Sequence, residues 1–290
     1  MQAQKHLPIL MFSSLPASGK SESRRYLKSL TKEQTDKFHL GETSTQVDDY
    51  PYVDAMRKIN AAAEKVLGET VFFDPKSTMF FNSCDWGTLV YMINDDYFDI
   101  KRCDPKIPER FCQDPVEWLF NRYESLEGKT IVFEFARGVP EGASFPLKPP
   151  FGYSLALFDK EILENAAILY IWVTPEMSYN KNLQRAKEGQ EGKSQTVSTQ
   201  LSLNHGVPHN VMKGEYGTDD IDYLLGLSPK KGYLPIKKDG EEFHIRCGRF
   251  DNRVDLTADF RKPQKDWTKE QIKKMEDVMK AAFDALLGEH

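Results

Sequence analysis

Eight consecutive residues near the start of the chain, numbers 14–21, have the composition of a phosphate-binding loop. They read SLPASGKS and match the pattern G-x-x-x-x-G-K-[ST] at every fixed position except the first, where Ser14 replaces glycine. In this motif backbone N–H groups surround an anion, and Gly19 lets the chain approach it closely. Lys20 then reaches the terminal phosphates, and the Ser21 hydroxyl takes one position on Mg²⁺. The predicted nucleotide contacts here are Ser14, Pro16, Ala17, Ser18, Gly19, Lys20, Ser21 and Glu22.

The context of this segment supports the motif, since an apolar run, PILMF, precedes it and a helical segment, KSESRRYLKSL, follows it. Ser14 is the one departure. A residue with a β-carbon fits the first position only with an ordinary φ angle or at a cost in strain. This concerns the geometry of the loop and leaves the chemistry of Lys20 and Ser21 in place. A chance match on an ordinary strand-to-helix turn is the alternative interpretation.

Two adjacent carboxylates, Asp48 and Asp49, follow the loop in the segment VDDY. A hydroxyl that attacks a phosphate needs a carboxylate to orient it and to accept its proton, and an adjacent acid can help hold Mg²⁺ through water. We assign Asp49 as the base, with Asp48 as the second candidate and a water-mediated metal ligand. Two aspartates before Tyr-Pro are also ordinary turn chemistry, so a turn remains the alternative.

A third carboxylate, Glu134, ends a buried apolar run in IVFEFARG, with Arg137 three residues later. A charge at such a position is costly unless it serves a cation, a metal or a ligand. At the carboxyl end of a parallel strand Glu134 would face a ligand crevice and could bind Mg²⁺ through water. We therefore place Glu134 and Arg137 in the catalytic group. A buried structural Glu–Arg pair explains the same residues.

Further cations follow in the polar stretch that begins near residue 184. Phosphoryl transfer spreads negative charge over the transferred group, and cations on a closing lid stabilise that charge while excluding water. Arg185 is assigned to this role, with a solvated charge cluster as the alternative, which we prefer for Lys187 and Lys193. Arg249 follows a predicted last strand, where its guanidinium could stack on a nucleobase.

Short apolar runs alternate with amphipathic segments, which is typical of an α/β protein. Buried strands are predicted at 8–12, 130–135 and 166–173, and GYLPIKKDGEEFHIRC is predicted to form a hairpin turning at Asp239-Gly240. Four or five strands with intervening helices give a mostly parallel sheet. The chain is expected to be one domain over residues 1–290.

The helices are marked by apolar spacing and by end signals. One is predicted from Asp54 to a C-cap at Gly68, and another from Asp114 with Pro115 in its first turn. The last helix begins with a Thr268–Gln271 capping box and ends at Gly288.

The overall composition limits the class of protein. Lys plus Arg is 39 and Asp plus Glu is 44, a net charge of −5, which argues against a surface that coats nucleic acid. No stretch approaches the ~20 apolar residues of a membrane span. The four cysteines stand far apart with no CxxC motif, so we expect free thiols in a reducing compartment. We therefore expect a cytoplasmic protein without a membrane or nucleic-acid partner, and leave a homodimer open.

Together these motifs resemble the P-loop kinases of small molecules, the superfamily of nucleoside, nucleotide, shikimate and gluconate kinases. PASGKS resembles the Pro-Gly-Ser-Gly-Lys loop of nucleotide kinases, and VDDY resembles the strand-end "DDFY" of uridine kinase. LYIWVTPEMSYNKNLQRA at 169–186 resembles the fourth core strand, Pro-Glu turn and lid-bearing helix of deoxynucleoside and thymidylate kinases.

The resemblance implies ATP and Mg²⁺ as cofactors and a three-layer α/β/α fold around a five-stranded parallel sheet. It also implies an acceptor-binding insertion, here about 50–125, and a lid, here about 185–225. Deoxynucleoside kinases have a strand-end Glu and nearby Arg comparable to Glu134 and Arg137. Arg185 falls where the lid arginine falls, and Arg249 where adenine is held in many of these kinases.

The sequence therefore predicts an ATP-dependent phosphotransferase that moves the γ-phosphate to a small acceptor, plausibly a nucleoside or nucleotide. Two alternatives stay open. One is a nucleotide-binding regulator or scaffold with a weakened loop, which Ser14 would suit. The other is an NTPase or kinase acting on RNA ends, against which the acidic balance counts.

Overall fold

The structure, a computed structural model, describes residues 6–42, 46–76, 79–80, 83–102, 128–146, 154–191 and 206–287. The helix predicted from Asp114 lies outside these residues, as do Lys193 and much of the predicted insertion. Within the described part, all of the predicted strands and the remaining predicted helices are present.

The centre of the protein is a six-stranded sheet in the order β2-β3-β1-β4-β6-β5. The first five strands in this order run parallel to one another, and β5 runs antiparallel to β6, so the predicted mostly parallel α/β sheet is confirmed. The strands are β1 (Ile9–Ser14), β2 (Gln46–Asp48), β3 (Ile131–Ala136), β4 (Ala166–Trp172), β5 (Tyr233–Lys238) and β6 (Glu241–Asp251).

The predicted count of five strands is wrong by one. The additional strand is β2, which spans three residues, Gln46–Asp48, and pairs with β3 through Val47 and Asp48. With Val47 as its one apolar residue, β2 has no apolar run that would show it in the sequence. The hairpin of β5 and β6 is present, and Asp239 and Gly240 at its turn have φ angles of 51° and 83°.

Helices pack on both faces of the sheet because its side chains alternate between two apolar clusters. In β1, Leu10 and Phe12 face one cluster, and Ile9 and Met11 face the other. The first cluster includes helix α1 (Lys20–Ser29) and the C-terminal helix, and the second includes residues from three helices between 83 and 227. The loop at 14–21 thus joins a strand with no exposed face to a helix packed against it.

The other helices are α2 (Lys32–Lys37), α3 (Tyr50–Leu67), α4 (Ser83–Arg102), α5 (Lys160–Asn165), α6 (Pro175–Glu191), α7 (His209–Gly214), α8 (Ile221–Leu227) and α9 (Lys269–Leu287). Helix α3 starts four residues earlier than predicted, with Pro51 in its first turn, and ends at Gly68, whose φ is 74°. The Thr268–Gln271 capping box is confirmed. Among the described helices, none combines the length and apolar character of a membrane span.

The described residues of the predicted lid include helical segments, and those after residue 206 form backbone contacts with the chain that follows β3. Residues 185–191 continue α6, while the segment that holds α7 and α8 is joined to the end of β3. There, Val139 and Thr218 form a two-way backbone bridge, and Glu141 N donates to Lys213 O at 2.8 Å. These contacts tie the chain after residue 206 to the sheet edge that carries Glu134.

Candidate functional site

The phosphate-loop segment lies at the carboxyl end of β1, in the middle of the sheet. After β1 the chain moves to β2 on one side, and after β4 it moves to β6 on the other. In open α/β sheets, ligands bind at the carboxyl ends of strands where the connections diverge in this way. The topology therefore places the loop at the position, between β1 and β4, where such sheets bind ligands.

The backbone of the loop has two left-handed residues, Ala17 with φ of 55° and Gly19 with φ of 101°. Ser14 has an ordinary φ as the last residue of β1, so its β-carbon brings none of the strain considered above. Its hydroxyl turns into the loop instead. Ser14 Oγ accepts from Lys20 Nζ at 3.0 Å and forms a hydrogen bond with Ser18 Oγ. The serine thereby holds the lysine inside the loop.

Two side chains from distant segments support the loop backbone. Ser178 Oγ on α6 donates to Pro16 O at 2.7 Å, and Asn252 Nδ2, just after β6, donates to Ser18 O at 2.7 Å. Asn252 is in turn bonded to Thr257 through both its amide atoms. The contacts of Ser178 and Asn252 with the loop could not be predicted from sequence patterns, since each joins residues more than 150 positions apart.

Gly19→Ala is expected to lower the free energy of unfolding by about 2–4 kcal/mol, from left-handed strain and overpacking together. A β-carbon at Gly19 would overlap Thr257 Oγ1 and lie 2.9 Å from Asn252 Nδ2. Gly240→Ala is the control, because Gly240 also has a positive φ but open space around it. Urea unfolding should show a clearly larger loss for Gly19→Ala, and equal losses would contradict the packing argument.

The ammonium group of Lys20 is nearly enclosed, with 9% of the residue exposed. Burial lowers its pKa, while the negative charges of Glu134 and Asp49 act in the opposite direction. Among the described residues no carboxylate lies within ion-pair distance of its Nζ atom, and its hydrogen bond goes to Ser14. A partly desolvated cation with only a hydroxyl partner is well prepared to bind a phosphate.

Glu134 is buried next to the loop and meets the first turns of α1. Its Oε1 accepts from Ser21 Oγ at 3.0 Å and its Oε2 from Arg24 Nη1 at 2.5 Å. Burial opposes ionisation of Glu134, but Arg24 and Lys20 outweigh it and lower its pKa. Arg24 was not predicted, although its spacing of three residues from Ser21 places both on one helical face. The alternative of a Glu134–Arg137 pair is wrong, because the partner is Arg24.

Asp49 lies beside the same group of charges. Its Oδ2 accepts from Ala136 N at 3.1 Å, and its side chain does not cap α3, which it precedes. Burial raises the pKa of Asp49 to about 8, helped by the charge of Asp48 and opposed by Lys20. Because its side chain accepts from Ala136 N and does not cap α3, Asp49 does not act as the capping residue of an ordinary strand-to-helix turn.

The side chain of Arg137 contacts residues outside the group formed by Lys20, Asp49 and Glu134. Its guanidinium binds Asp220 in a two-pronged ion pair, with Nη2 to Oδ2 at 2.7 Å, and its Nε donates to Ser154 Oγ at 2.8 Å. Its backbone N donates to Ser14 O at 2.9 Å. Arg137 therefore joins the loop entrance to the segment before α8 through a buried ion pair.

One face of α6 is directed at the loop and presents Ser178, Lys181 and Arg185. Lys181 forms an ion pair with Asp255, and burial lowers its pKa. Arg185 Nη2 lies 3.6 Å from Glu22 Oε1, and its charge contributes to lowering the Lys20 pKa. Arg185 thus lies beside the first turn of α1, while its role as a lid cation stays a prediction. Lys181 was missed, although its spacing of four residues from Arg185 indicates a shared helical face.

Arg249 lies within β6 rather than after it, and its stacking partner belongs to the protein. Its guanidinium carbon is 4.1 Å from the centre of the Trp172 ring, and Arg253 lies 3.6 Å from the same ring. Arg249 also forms an ion pair with Asp222, and Arg253 with Asp251. A base bound at this edge would meet a ring already flanked by two guanidinium groups.

The donors near Ser21 suit Mg²⁺, although the described residues hold no group of three or more His, Cys, Asp or Glu arranged for a metal. Mg²⁺ usually takes one or two protein ligands and completes its shell with water and substrate phosphates. The Ser21 hydroxyl and the Glu134 carboxylate are hard oxygen donors within 3.0 Å of each other. These two donors suit a Mg²⁺ site completed by water and phosphate oxygens, rather than one in which the protein supplies every ligand.

Searches with this chain against protein-family models, curated proteins and solved structures found no match.

Proposed function

We propose that the chain is a phosphotransferase that uses Mg²⁺ and ATP to phosphorylate a small acceptor. The observation that carries the proposal is the meeting of Lys20, Ser21, Asp49 and Glu134 at the carboxyl end of the central strand. A phosphate-binding loop, a desolvated cation, two hard oxygen donors and a carboxylate whose pKa is raised to about 8 are the parts that such a reaction needs.

In the proposed mechanism the backbone of residues 16–20 binds the phosphates, and Lys20 leaves Ser14 to neutralise the terminal groups. Ser21 and Glu134 would hold the metal, which when bound draws charge from the β- and γ-phosphates. Asp49 orients the acceptor hydroxyl and accepts its proton. Arg185 approaches from α6 as charge develops on the transferred group.

The acceptor is proposed to lie over the start of α3, next to Asp49. A small apolar group formed by Met56, Phe73 and Leu89 is located there, and Phe73 stacks on Phe80 with ring centres 4.6 Å apart. Arg57 lies 5.4 Å from the centre of the Phe73 ring. Aromatic side chains beside a guanidinium suit a ring-bearing, negatively charged acceptor, which favours a nucleoside or nucleotide.

The test is to incubate the protein with Mg²⁺, ATP and a pool of nucleosides, nucleotides and sugars, and to measure acceptor-dependent ADP release. The control is the Lys20→Met variant. Release above this control with at least one acceptor is the expected result. ATP binding without release for any acceptor would reject the kinase and favour the regulator or scaffold.

That second function has one structural observation in its favour. Ser14, in place of the leading glycine, and Ser18 occupy the loop with their own hydrogen bonds, and Ser14 restrains Lys20. A loop that binds nucleotide with its lysine still held by serine would bind without turnover. Ser14→Gly separates the two functions, since it should raise turnover in a kinase weakened at this position and leave a scaffold inactive.

A further inference from the structure

Glu22, in the first turn of α1, is shared by two arginines that come from separate parts of the chain. Arg261 Nε donates to its Oε1 at 3.0 Å, and Arg185 Nη2 lies 3.6 Å from the same oxygen. Arg185 belongs to α6, and Arg261 belongs to a 3₁₀ turn, Ala258–Arg261, after β6. The contact with Arg261 is a hydrogen bond, and the contact with Arg185 is an ion pair without one.

The carboxylate of Glu22 cannot remain without a cation. Only 8% of the residue is exposed, and its Oε2 is buried with no hydrogen-bond partner among the described residues. A buried carboxylate left without a counter-charge is strongly unfavourable. If Arg185 moved away, Glu22 would need a second cation beside it. Arg261 is in that position.

We infer that Glu22 and Arg261 are positioning residues that control the release of Arg185 to the phosphate. Arg261 keeps the nearer, hydrogen-bonded contact and compensates Glu22, so that Arg185 can exchange its looser contact for the γ-phosphate. Glu22 lies two residues after Lys20 in the first turn of α1, so Arg185 already contacts the turn that carries Lys20. This inference rests on the proposed function and adds to it two residues that determine when Arg185 is free to contact the phosphate.

The arrangement of α1 supports a fixed place for Arg261. Arg25, one turn along α1 from Glu22, donates through Nη1 to Phe260 O at 3.2 Å and to Arg261 O at 3.0 Å. The 3₁₀ turn is thus anchored on the same helix that carries Glu22, while Arg185 is carried by α6. Of the two arginines, Arg261 is therefore the one whose backbone is bonded to α1.

The experiment is a double-mutant cycle read by calorimetric binding of Mg·ATP and of ADP. Among the described residues Arg261→Gln leaves Arg185 as the one ion-pair partner of Glu22, with Lys181 as a further nearby positive charge, and we expect ATP to bind about five- to tenfold more weakly. Because Arg185 is drawn by the γ-phosphate, ADP affinity should change less than twofold. In Glu22→Gln/Arg261→Gln the carboxylate charge is gone, so ATP affinity should recover to within about twofold of Glu22→Gln.

Two further variants complete the design. Lys262→Gln removes the neighbouring positive charge, which pairs with Asp259 at the surface, and serves as the matched control with unchanged affinity. Arg261→Lys keeps the charge and should retain ATP affinity even if Arg261→Gln unfolds. Wild-type protein that binds no ATP would refute the proposed function together with this inference. ATP binding by the wild type, with no recovery in the double variant or equal losses for ATP and ADP, would overturn this inference alone.

Discussion

Replacing Lys20 with methionine is expected to reduce phosphoryl transfer on the order of 10²- to 10³-fold while the fold stays intact. The ammonium group is buried beside Glu134 and Asp49 and bonds to Ser14 alone among the described hydroxyls and carboxylates. In the proposed function its task is to neutralise phosphate charge, which is absent before the nucleotide binds. Methionine keeps the length and apolar volume of the side chain and loses that charge.

The stability of the same variant separates function from structure. Burial of the lysine charge is unfavourable, as its lowered pKa indicates, so Lys20→Met should have a thermal midpoint equal to or above that of the wild type. Activity is measured as ADP release and stability by thermal unfolding. The exposed Lys280→Met variant, whose ion pair with Asp284 is local to α9, is the control with unchanged activity. Full activity of Lys20→Met would remove the lysine from the site.

The strand, loop and helix around residues 14–21 could be predicted because the signal is local. Strand, glycine, lysine, serine and helix follow one another within about twenty residues, and each contributes through backbone geometry or its own side chain. The same holds for the Thr268–Gln271 capping box and for the turn at Asp239-Gly240. In each case the residues that interact are neighbours in sequence, so their spacing specifies the geometry.

The counter-charges of the site could not be predicted, because they depend on which distant segments the fold brings together. A Glu134–Arg137 pair was the alternative interpretation of these two residues, yet alternation along β3 and the position of α1 pair Glu134 with Arg24. Arg137 instead meets Asp220, more than eighty residues away. The net charge of a chain does not specify such pairings. For a charged residue in a polar stretch, the sequence offers many oppositely charged partners and does not select one of them.

Asp49→Asn is expected to lower turnover by about 10²-fold, the usual contribution of a general base, with ATP affinity nearly unchanged. The wild-type pH profile of kcat/KM should rise about tenfold per pH unit and level off above about pH 8, because the carboxylate must lose its proton to act. Asparagine has no such titration, so the rising limb should be absent from the residual activity of the variant.

Asp48→Asn is the matched control for this assignment. The charge of Asp48 helps to raise the Asp49 pKa, so its removal should move the rising limb to lower pH while most of the turnover remains. Two neighbouring aspartates changed to the same amide thus give different profiles. If Asp48→Asn abolishes turnover and Asp49→Asn does not, the two roles are exchanged. If neither variant changes the profile, the carboxylate pair is not the base.

The stability of Asp49→Asn should change in the direction opposite to its activity. The folded protein keeps a proton on Asp49 up to about pH 8, whereas the unfolded chain releases it near 3.8. Between these values the folded state binds more protons, so this group makes the wild type less stable as pH rises. Asparagine removes that loss, and its gain in thermal midpoint should be small at pH 5 and larger at pH 8. A carboxylate retained for stability would give the reverse, with the variant less stable at pH 8, so a gain in stability with a loss of turnover marks Asp49 as a residue kept for chemistry.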